Sequence, residues 1–250
     1  MTVREGSAEV KLPDAVFYNP VQEFNRDITI AVIRNFLKMH LREFIDKGIK
    51  IAASKNAPPE PTNYVGISIL EALAASGLRS VRFANEIPLV CKITANDLDP
   101  EATKLISENA QRNNVSGLVK PTCSDAVSLM LNTTPGTAYG KYGGVAIKMT
   151  AQHEQVSYNQ HVSKGQAVMS NNCEGLRLLL YAIQQAASRH GKVIEPLLSL
   201  SIDFYARVFV RVRSSPGSVK HVAAKMALVY SCTGCQVSAH SNMREPFQCA

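Results

Sequence analysis

The sequence predicts an α/β fold: a parallel sheet flanked by crossover helices, followed by the start of a smaller α+β region. Three observations carry this expectation. Apolar runs at Val65–Glu71, Leu89–Ala95 and Leu118–Cys123 alternate with helix-like stretches at Leu78–Glu86 and Glu101–Asn113. An acid stands at or just after the end of each run: Glu71, Asp97 and Asp125. Small residues, Ala74-Ala75-Ser76-Gly77, follow the first run, where backbone must come close to a ligand. Strands alternating with helices give parallel pairing with right-handed crossovers.

The elements follow from local chemistry. Residues 1–23 read as mixed and mostly extended, with Pro13 and Pro20 as breakers. Asn25 is expected to cap a helix with Asp27 in its first turn, where negative charge suits the dipole. Ile28, Ile30, Val32, Ile33, Phe36 and Leu37 then recur at helical spacing up to about Ile45. Lys55–Asn63, with three prolines, is a loop. Beyond the third apolar run the alternation breaks. Thr133–Thr137 is loop, Tyr139–Gly144 leads into a short apolar piece, and Ala151–Cys173 is polar without a usable period. Glu174–His190 is again an amphipathic helix. Ile194–Ser199, Phe204–Val212 and Met226–Ser231 are strand-like, and Arg207–Arg213 alternates strictly.

Bulk properties narrow the class. The 250 residues suit one large domain or one domain plus a small one, and 46% hydrophobic residues support a packed core. A formal charge of +7 leans towards a polyanionic partner, most simply nucleic acid, because Lys and Arg release counterions from phosphates. An ordinary basic surface would give the same number. No apolar run approaches the roughly 20 residues a membrane span needs. The first residues do not read as a secretory signal, so the scattered cysteines fit a reduced compartment.

The strand-end acids give the chemistry. A ligand of an open α/β sheet sits beyond the carboxyl ends of its strands. Asp97 would accept hydrogen bonds from ribose hydroxyls. Asp125 would accept from an adenine amino group, with Ala126 leaving room for the ring. Each acid alone is equally a turn or capping carboxylate. Three in register, without a GxGxxG turn for a pyrophosphate, point to S-adenosylmethionine rather than a dinucleotide. Upstream, Phe17 and Tyr18 could stack on a base, and Arg26 could grip a carboxylate or phosphate as a fork. The plainer alternative makes Phe17 a core anchor, Asn25 a cap and Arg26 a surface ion pair.

Phe17-Tyr-Asn-Pro20, Asn25-Arg-Asp27, Glu71-Ala-Leu-Ala-Ala-Ser-Gly-Leu-Arg-Ser80 and Ala95-Asn-Asp97 resemble the tRNA (guanine-26-N2) dimethyltransferase family. So do Lys141-Tyr-Gly-Gly144, Pro196–Tyr205 and Arg207-Val-Phe-Val-Arg211. The resemblance covers most of the chain outside residues 46–64, 127–137 and 156–174. It implies a Rossmann-like class I methyltransferase sheet that transfers methyl groups from S-adenosylmethionine to the exocyclic amine of a tRNA guanine. It also implies a C-terminal domain that helps hold tRNA, and work in the nucleus, the mitochondrion or the cytoplasm rather than secretion. Carried across by position, Arg26, Arg79, Asp97, Asp125 and Ala126 are the cofactor contacts, and Phe17 and Tyr18 the substrate contacts. The domain division expected on this basis is 1–190 and 191–250.

Two departures matter. Amino-directed methyltransferases carry an Asp-Pro-Pro-Tyr-like loop after the fourth strand. The one Asp-Pro here, Asp99-Pro100, lies just past the second. Only residues 126–138 lie between Asp125 and Tyr139, too few for strand 4, its helix and strand 5 when strands average about 5–6 residues and helices about 11–12. Strands 4 and 5 are therefore expected to be missing, the catalytic loop with them, and the sheet edges exposed. No catalytic residue is assigned. Val156–Glu174 interrupts a helix that the family runs continuously, and reads as an insertion. The chain is then an impaired enzyme, a binding-only form or an unstable product of faulty splicing. Finally, Cys232-Thr-Gly-Cys235 has zinc-knuckle spacing. The family resemblance supports zinc there, but the second cysteine pair should lie at or beyond Cys249, and the chain ends at Ala250.

Overall fold

The computed structural model describes residues 1–13, 18–55, 64–132, 145–147, 171–202, 205–226, 228–231 and 238–241. The chain divides into two compact units, Met1–Lys141 and Tyr142–Ala250, where the sequence reading drew its division at residue 190.

Unit 1 opens with a hairpin of β1 (Thr2–Glu5) and β2 (Ala8–Lys11), antiparallel with Thr2 opposite Lys11 and Glu5 opposite Ala8. The turn is short because Gly6 takes a φ of +51°, a conformation that suits glycine. Helix α1 runs over Gln22–Ser54. It begins earlier than expected, on Val21, so Asn25 sits inside the helix and caps nothing. Its amide donates to Gln22 Oε1 at 3.0 Å instead. Thr29, Ile30, Ile33, Phe36 and Leu37 form the buried stripe. Beyond Leu37 the stripe lapses, yet the helix continues because the residues that follow are mostly good helix formers. Phe36 stacks on His40, whose Nδ1 lies 2.9 Å from the Tyr64 hydroxyl. Phe44 meets the same tyrosine edge-on, so α1 anchors the chain just before the sheet begins.

The sheet consists of β3 (Ile67–Glu71), β4 (Val90–Asp97) and β5 (Val119–Cys123), parallel and in that order. Helices α2 (Leu78–Glu86) and α3 (Pro100–Arg112) make the crossovers. The predicted parallel α/β layer is therefore present. Asp99 caps α3 by accepting from Glu101 N–H at 2.9 Å, and Pro100 opens the helix. This pair serves as a helix start. Ile93 and Ala95 of β4, Val81 of α2, Ile106 and Ala110 of α3 and Val119 of β5 are essentially inaccessible and form the core. Among the described strands of this sheet only β4 is paired on both sides. Strand β3 is half-buried along Ile67–Leu70, where a strand deep inside a complete parallel sheet is covered.

Two polar devices bind the hairpin to this layer. Asn109 of α3 and Asn113, which caps the C-terminus of that helix, read the outer edge of β2. Each accepts from one backbone N–H and donates to the carbonyl of the same residue, Lys11 for Asn109 and Glu9 for Asn113. The hairpin edge is thereby satisfied by side chains. Around Glu5, whose side chain is wholly buried, a cluster of charge joins β1, α1 and α2. Arg26 and Arg82 both donate to its carboxylate, and Arg82 reaches Asp27 at 2.6 Å and Glu86 at 2.8 Å. Burial alone would raise the Glu5 carboxyl. Hydrogen bonds from Arg26, Arg82 and Tyr18 outweigh it and hold the group below its ordinary value. Glu86 is lowered likewise, burial being outweighed by Arg82 and by the Ser7 N–H.

Unit 2 carries a second sheet, β6 (Val145–Ile147), β8 (Tyr205–Ser214) and β7 (Lys192–Ile202), antiparallel in the order β6-β8-β7. Helix α5 (Asn171–Ser188) packs on β7 and β8. It begins four residues from the end of the expected insertion. Gln184 ties the helix to β7 by accepting from Ile194 N–H at 2.9 Å. Pro196 falls in β7, an edge strand, and the register slips beside it, which is how a residue without an N–H is tolerated. Val208 and Val210 on one face of β8 and Phe209 on the other are all buried. A short helix α6 (Pro216–Val219), a single 3-10 turn and the hairpin β9 (Leu228–Ser231)–β10 (Ser238–Ser241) follow.

Two outcomes follow for stability. Glu5 and Glu86 titrate below 4.5 when folded, so the unfolded chain binds more protons below that pH. Their stabilisation is complete above pH 4.5 and is lost as pH falls through the folded values. Chemical denaturation from pH 7 to pH 3 should show this decline, and Glu86→Gln should flatten it. Separately, Asn109→Ala removes a fully buried amide together with its bonds to the Lys11 backbone and the Ser76 carbonyl, and should lower unfolding stability by about 2 kcal/mol, given about 1–3 kcal/mol per hydrogen-bonding group left unsatisfied. A loss below about 0.5 kcal/mol would contradict the bracket described here.

Candidate cofactor site

The three strand ends converge because the sheet is parallel and in register. Glu71 lies opposite Ala95, and Asp97 opposite Cys123. The turn after β3 is held from below. Glu71 is buried, and its carboxylate accepts from Arg79 at 2.5 Å and from the Ser80 hydroxyl. Arg79 also donates to the Leu73 carbonyl at 3.0 Å. Thus the first strand-end acid faces the protein, and Arg79 braces the turn. Gly77 closes that turn with a φ of +75°, and an added Cβ would lie 3.2 Å from Ile106. Its position needs glycine for both reasons.

Asn96 stitches the strand ends together. It is fully buried. Its amide donates to the Ala72 carbonyl at 3.1 Å and the Ser124 carbonyl at 2.8 Å, and its Oδ1 accepts from Thr122 Oγ1 at 2.9 Å. Its own carbonyl accepts from Ala74 N–H at 2.8 Å. One side chain therefore fixes the loops that leave β3 and β5 relative to the end of β4. The sequence reading quoted this residue only within its motif. The signal was available: an amide has donors and an acceptor enough for three partners, and here it stands beside Asp97 at the carboxyl end of a strand.

Asp97, the next residue, points to the opposite face of the strand, as alternation requires. Its Oδ2 accepts from Ala75 N–H at 2.8 Å and its Oδ1 from Asp99 N–H at 3.2 Å. Ala75 is held at a φ of +49°. Asp97, Ala75, Ser76 and Asp99 line a cleft of about 560 Å3 that extends along α3 past Ala102 and Leu105. Asp125 is exposed at the end of β5 and starts α4 (Ala126–Asn132) by accepting from Ser128 N–H at 2.8 Å. Ala126 is half-buried beside it.

Arg26 and Tyr18 form a separate pair. Arg26 is a half-buried fork on the buried Glu5, with Nε and Nη2 at 2.7 and 2.5 Å from the two carboxylate oxygens. Tyr18 donates its hydroxyl to Glu5 at 2.9 Å, and the Arg26 guanidinium lies over its ring at 5.4 Å. Burial and the neighbouring carboxylate raise the Tyr18 hydroxyl above its ordinary value. Sequence reasoning missed Glu5 because nothing local marks it. Its partners come from α1 and α2.

Phe17, Cys232 and Cys235 lie outside the described residues, as does most of Val156–Glu174. Among the described residues no group of three or more His, Cys, Asp or Glu side chains is placed to hold a metal ion. No described helix is long and apolar enough to cross a membrane.

Comparison with known proteins bears on this geometry. The family described as N2,N2-dimethylguanosine tRNA methyltransferase matches residues 1–138 and 122–249, two stretches that overlap from the end of β5 to residue 138. The tRNA (guanine(26)-N(2))-dimethyltransferase of Drosophila melanogaster is 35% identical, over 94% of this chain and 48% of that protein. Its counterpart in Schizosaccharomyces pombe is 34% identical, over 94% and 53%. The chain spans about half the length of these relatives. The alignments run over 280 and 296 positions, more than the chain's 250 residues, so the relatives carry residues that have no counterpart here. Among solved structures, Trm1 from Pyrococcus horikoshii with S-adenosyl-L-methionine superposes with a TM-score of 0.73 at 20% identity, covering 99% of this chain and 71% of that one. TYW2 from the same organism, in complex with MeSAdo, gives 0.53 at 13% identity, covering 86% and 71%. These two likenesses speak for the fold. With the family matched over nearly the whole sequence and relatives above 30% identity, the chain belongs to the N2,N2-dimethylguanosine tRNA methyltransferase family.

Proposed function

We propose that this chain binds S-adenosylmethionine across the carboxyl ends of β3, β4 and β5, and binds tRNA, without completing methyl transfer. The observation that carries the cofactor assignment is Asp97 beside the Ala75–Gly77 turn, at the ends of two adjacent parallel strands and open to a cleft. Each Asp97 oxygen accepts one backbone N–H and keeps capacity for a ribose hydroxyl. Asp125 and Ala126 offer an acceptor and space for adenine. By its position in the family motif Arg26 supplies the cation for the cofactor's carboxylate, and the Tyr18 ring lies against that guanidinium. Arg79 acts through the turn that it braces.

The cofactor, when bound, supplies an electrophilic methyl group. Guanine N2 is a poor nucleophile, since its lone pair is delocalised into the ring. A carboxylate and a backbone carbonyl placed to accept the amine hydrogens answer this difficulty, a matter of positioning and electrostatics. This sequence has no Asp-Pro-Pro-Tyr-like loop, and Asp99-Pro100 is engaged as a helix cap. The two-part family match and the over-long alignments support a missing segment after β5.

Support for tRNA binding comes from unit 2. The turn between α5 and β7 lies against the turn after β8, with Ser215 N–H donating to Gly191 O at 3.1 Å. Arg189 and Lys192 flank the first turn and Arg213 the second, Lys220 and Lys225 follow in sequence, and the acid Glu195 is paired with Arg213. Such a set of cations suits phosphates.

Calorimetric titration with S-adenosylmethionine should show binding, and Asp97→Ala should weaken it about tenfold or more, as expected for loss of hydrogen bonds to a charged group. Binding of tRNA should fall steeply with salt. Incubation with both should yield no dimethylguanosine. Absence of cofactor binding would overturn the first assignment, and detectable methylated product the last.

A further inference from the structure

We infer that Glu5 is a positioning residue of the cofactor site: it aims Arg26 and Tyr18, and the N-terminal hairpin is part of the binding apparatus. The inference rests on the cofactor assignment above. A guanidinium that is to meet a ligand carboxylate must be held by something else, because a free arginine side chain loses much rotamer freedom on binding. Glu5 does this bidentately. Both of its oxygens are used by Arg26, through Nε and Nη2, and Nη2 also reaches the Asn19 carbonyl at 3.3 Å. Among the described residues Nη1 has no hydrogen-bond partner, so it is the edge left to present. Tyr18 closes the opposite side by stacking and through its own bond to Glu5.

The carboxylate itself cannot swing. Its side chain has no exposed surface, and Arg82 donates to Oε1 at 2.8 Å. Arg82 is in turn fixed by Asp27 and Glu86, and Glu86 accepts from Ser7 N–H in the hairpin turn at 3.1 Å. Two elements thus set the Arg26 guanidinium of α1: the hairpin through Glu5, and α2 through Arg82. A structural ion pair could have been satisfied by one arginine. The bidentate engagement of a second, with a tyrosine packed on it, is the geometry of an aimed fork.

The test compares two ligands that differ only in the amino-acid arm: S-adenosylhomocysteine, which has it, and 5′-methylthioadenosine, which does not. Calorimetry on the full chain should show Glu5→Gln weakening S-adenosylhomocysteine by about tenfold, the equivalent of one charge-assisted hydrogen bond, with methylthioadenosine unchanged. Adding Glu5→Gln to Arg26→Ala should cost nothing further, because Glu5 acts through Arg26. Equal weakening of both ligands would mean a merely structural role and would overturn the inference, as would no weakening of either. Should Glu5→Gln fail to fold, Arg26→Lys decides. It keeps the charge but cannot be held as a fork, so arm-dependent affinity should fall as in Arg26→Ala, and its retention would overturn the inference. Failure of the unmodified chain to bind either ligand would instead sink the cofactor assignment itself.

Discussion

The candidate site depends on one buried amide. Asn96 stands at the end of the middle strand, with no exposed surface, and holds the loops of both neighbouring strands by their carbonyls. A parallel sheet places its strand ends side by side but does not by itself fix the loops that leave them. Asn96 fixes them because it has two N–H donors that diverge towards opposite neighbours. Asp97 follows it in sequence, and strand alternation turns its carboxylate outward to the Ala75 turn. Internal order and ligand-facing chemistry thus come from two consecutive residues with opposite orientations.

A second layer of constraint works through the N-terminal segment. The hairpin has little core of its own, only Ala8 and Val10 on its buried face. What attaches it is polar: the asparagine bracket of α3 on one edge and the Glu5 cluster on the other. Asn109 also donates to the Ser76 carbonyl at 2.9 Å, so the bracket that holds the hairpin also holds the cofactor turn. Attachment by buried polar groups is geometrically specific, since partial satisfaction is costly. The hairpin can therefore sit in only one way against the layer that carries the site.

Much of this was legible in the sequence. The strand and helix alternation from Val65 to Cys123 gave the parallel layer with boundaries shifted by a residue or two, because each element has a strong period or a clear breaker. Asp97 was singled out, and it lines the cleft. Other parts were hidden for physical reasons. Asn25 looked like a cap, but Gln22–Phe24 join the helix ahead of it. Glu71 looked like a ligand-facing acid, yet Arg79 and Ser80, in the first turn of α2, turn it inward. Glu5 and Asn109 make contacts with residues far away along the chain, and a single sequence carries no local mark of such pairings. Among the described residues β3 is paired only with β4, and the spacing between Asp125 and Tyr139 leaves too few residues for the strand expected on its other side.

The most direct test of the account is amide hydrogen exchange of the full chain with and without S-adenosylmethionine. Residues 73–77, 97–99 and 124–128 leave the three strand ends, and the account predicts that the cofactor slows exchange in all three segments together, with the hairpin following. Protection confined to one segment, or appearing only outside these loops, would contradict the claim that Asn96 and Asp97 organise a single cofactor site across β3, β4 and β5.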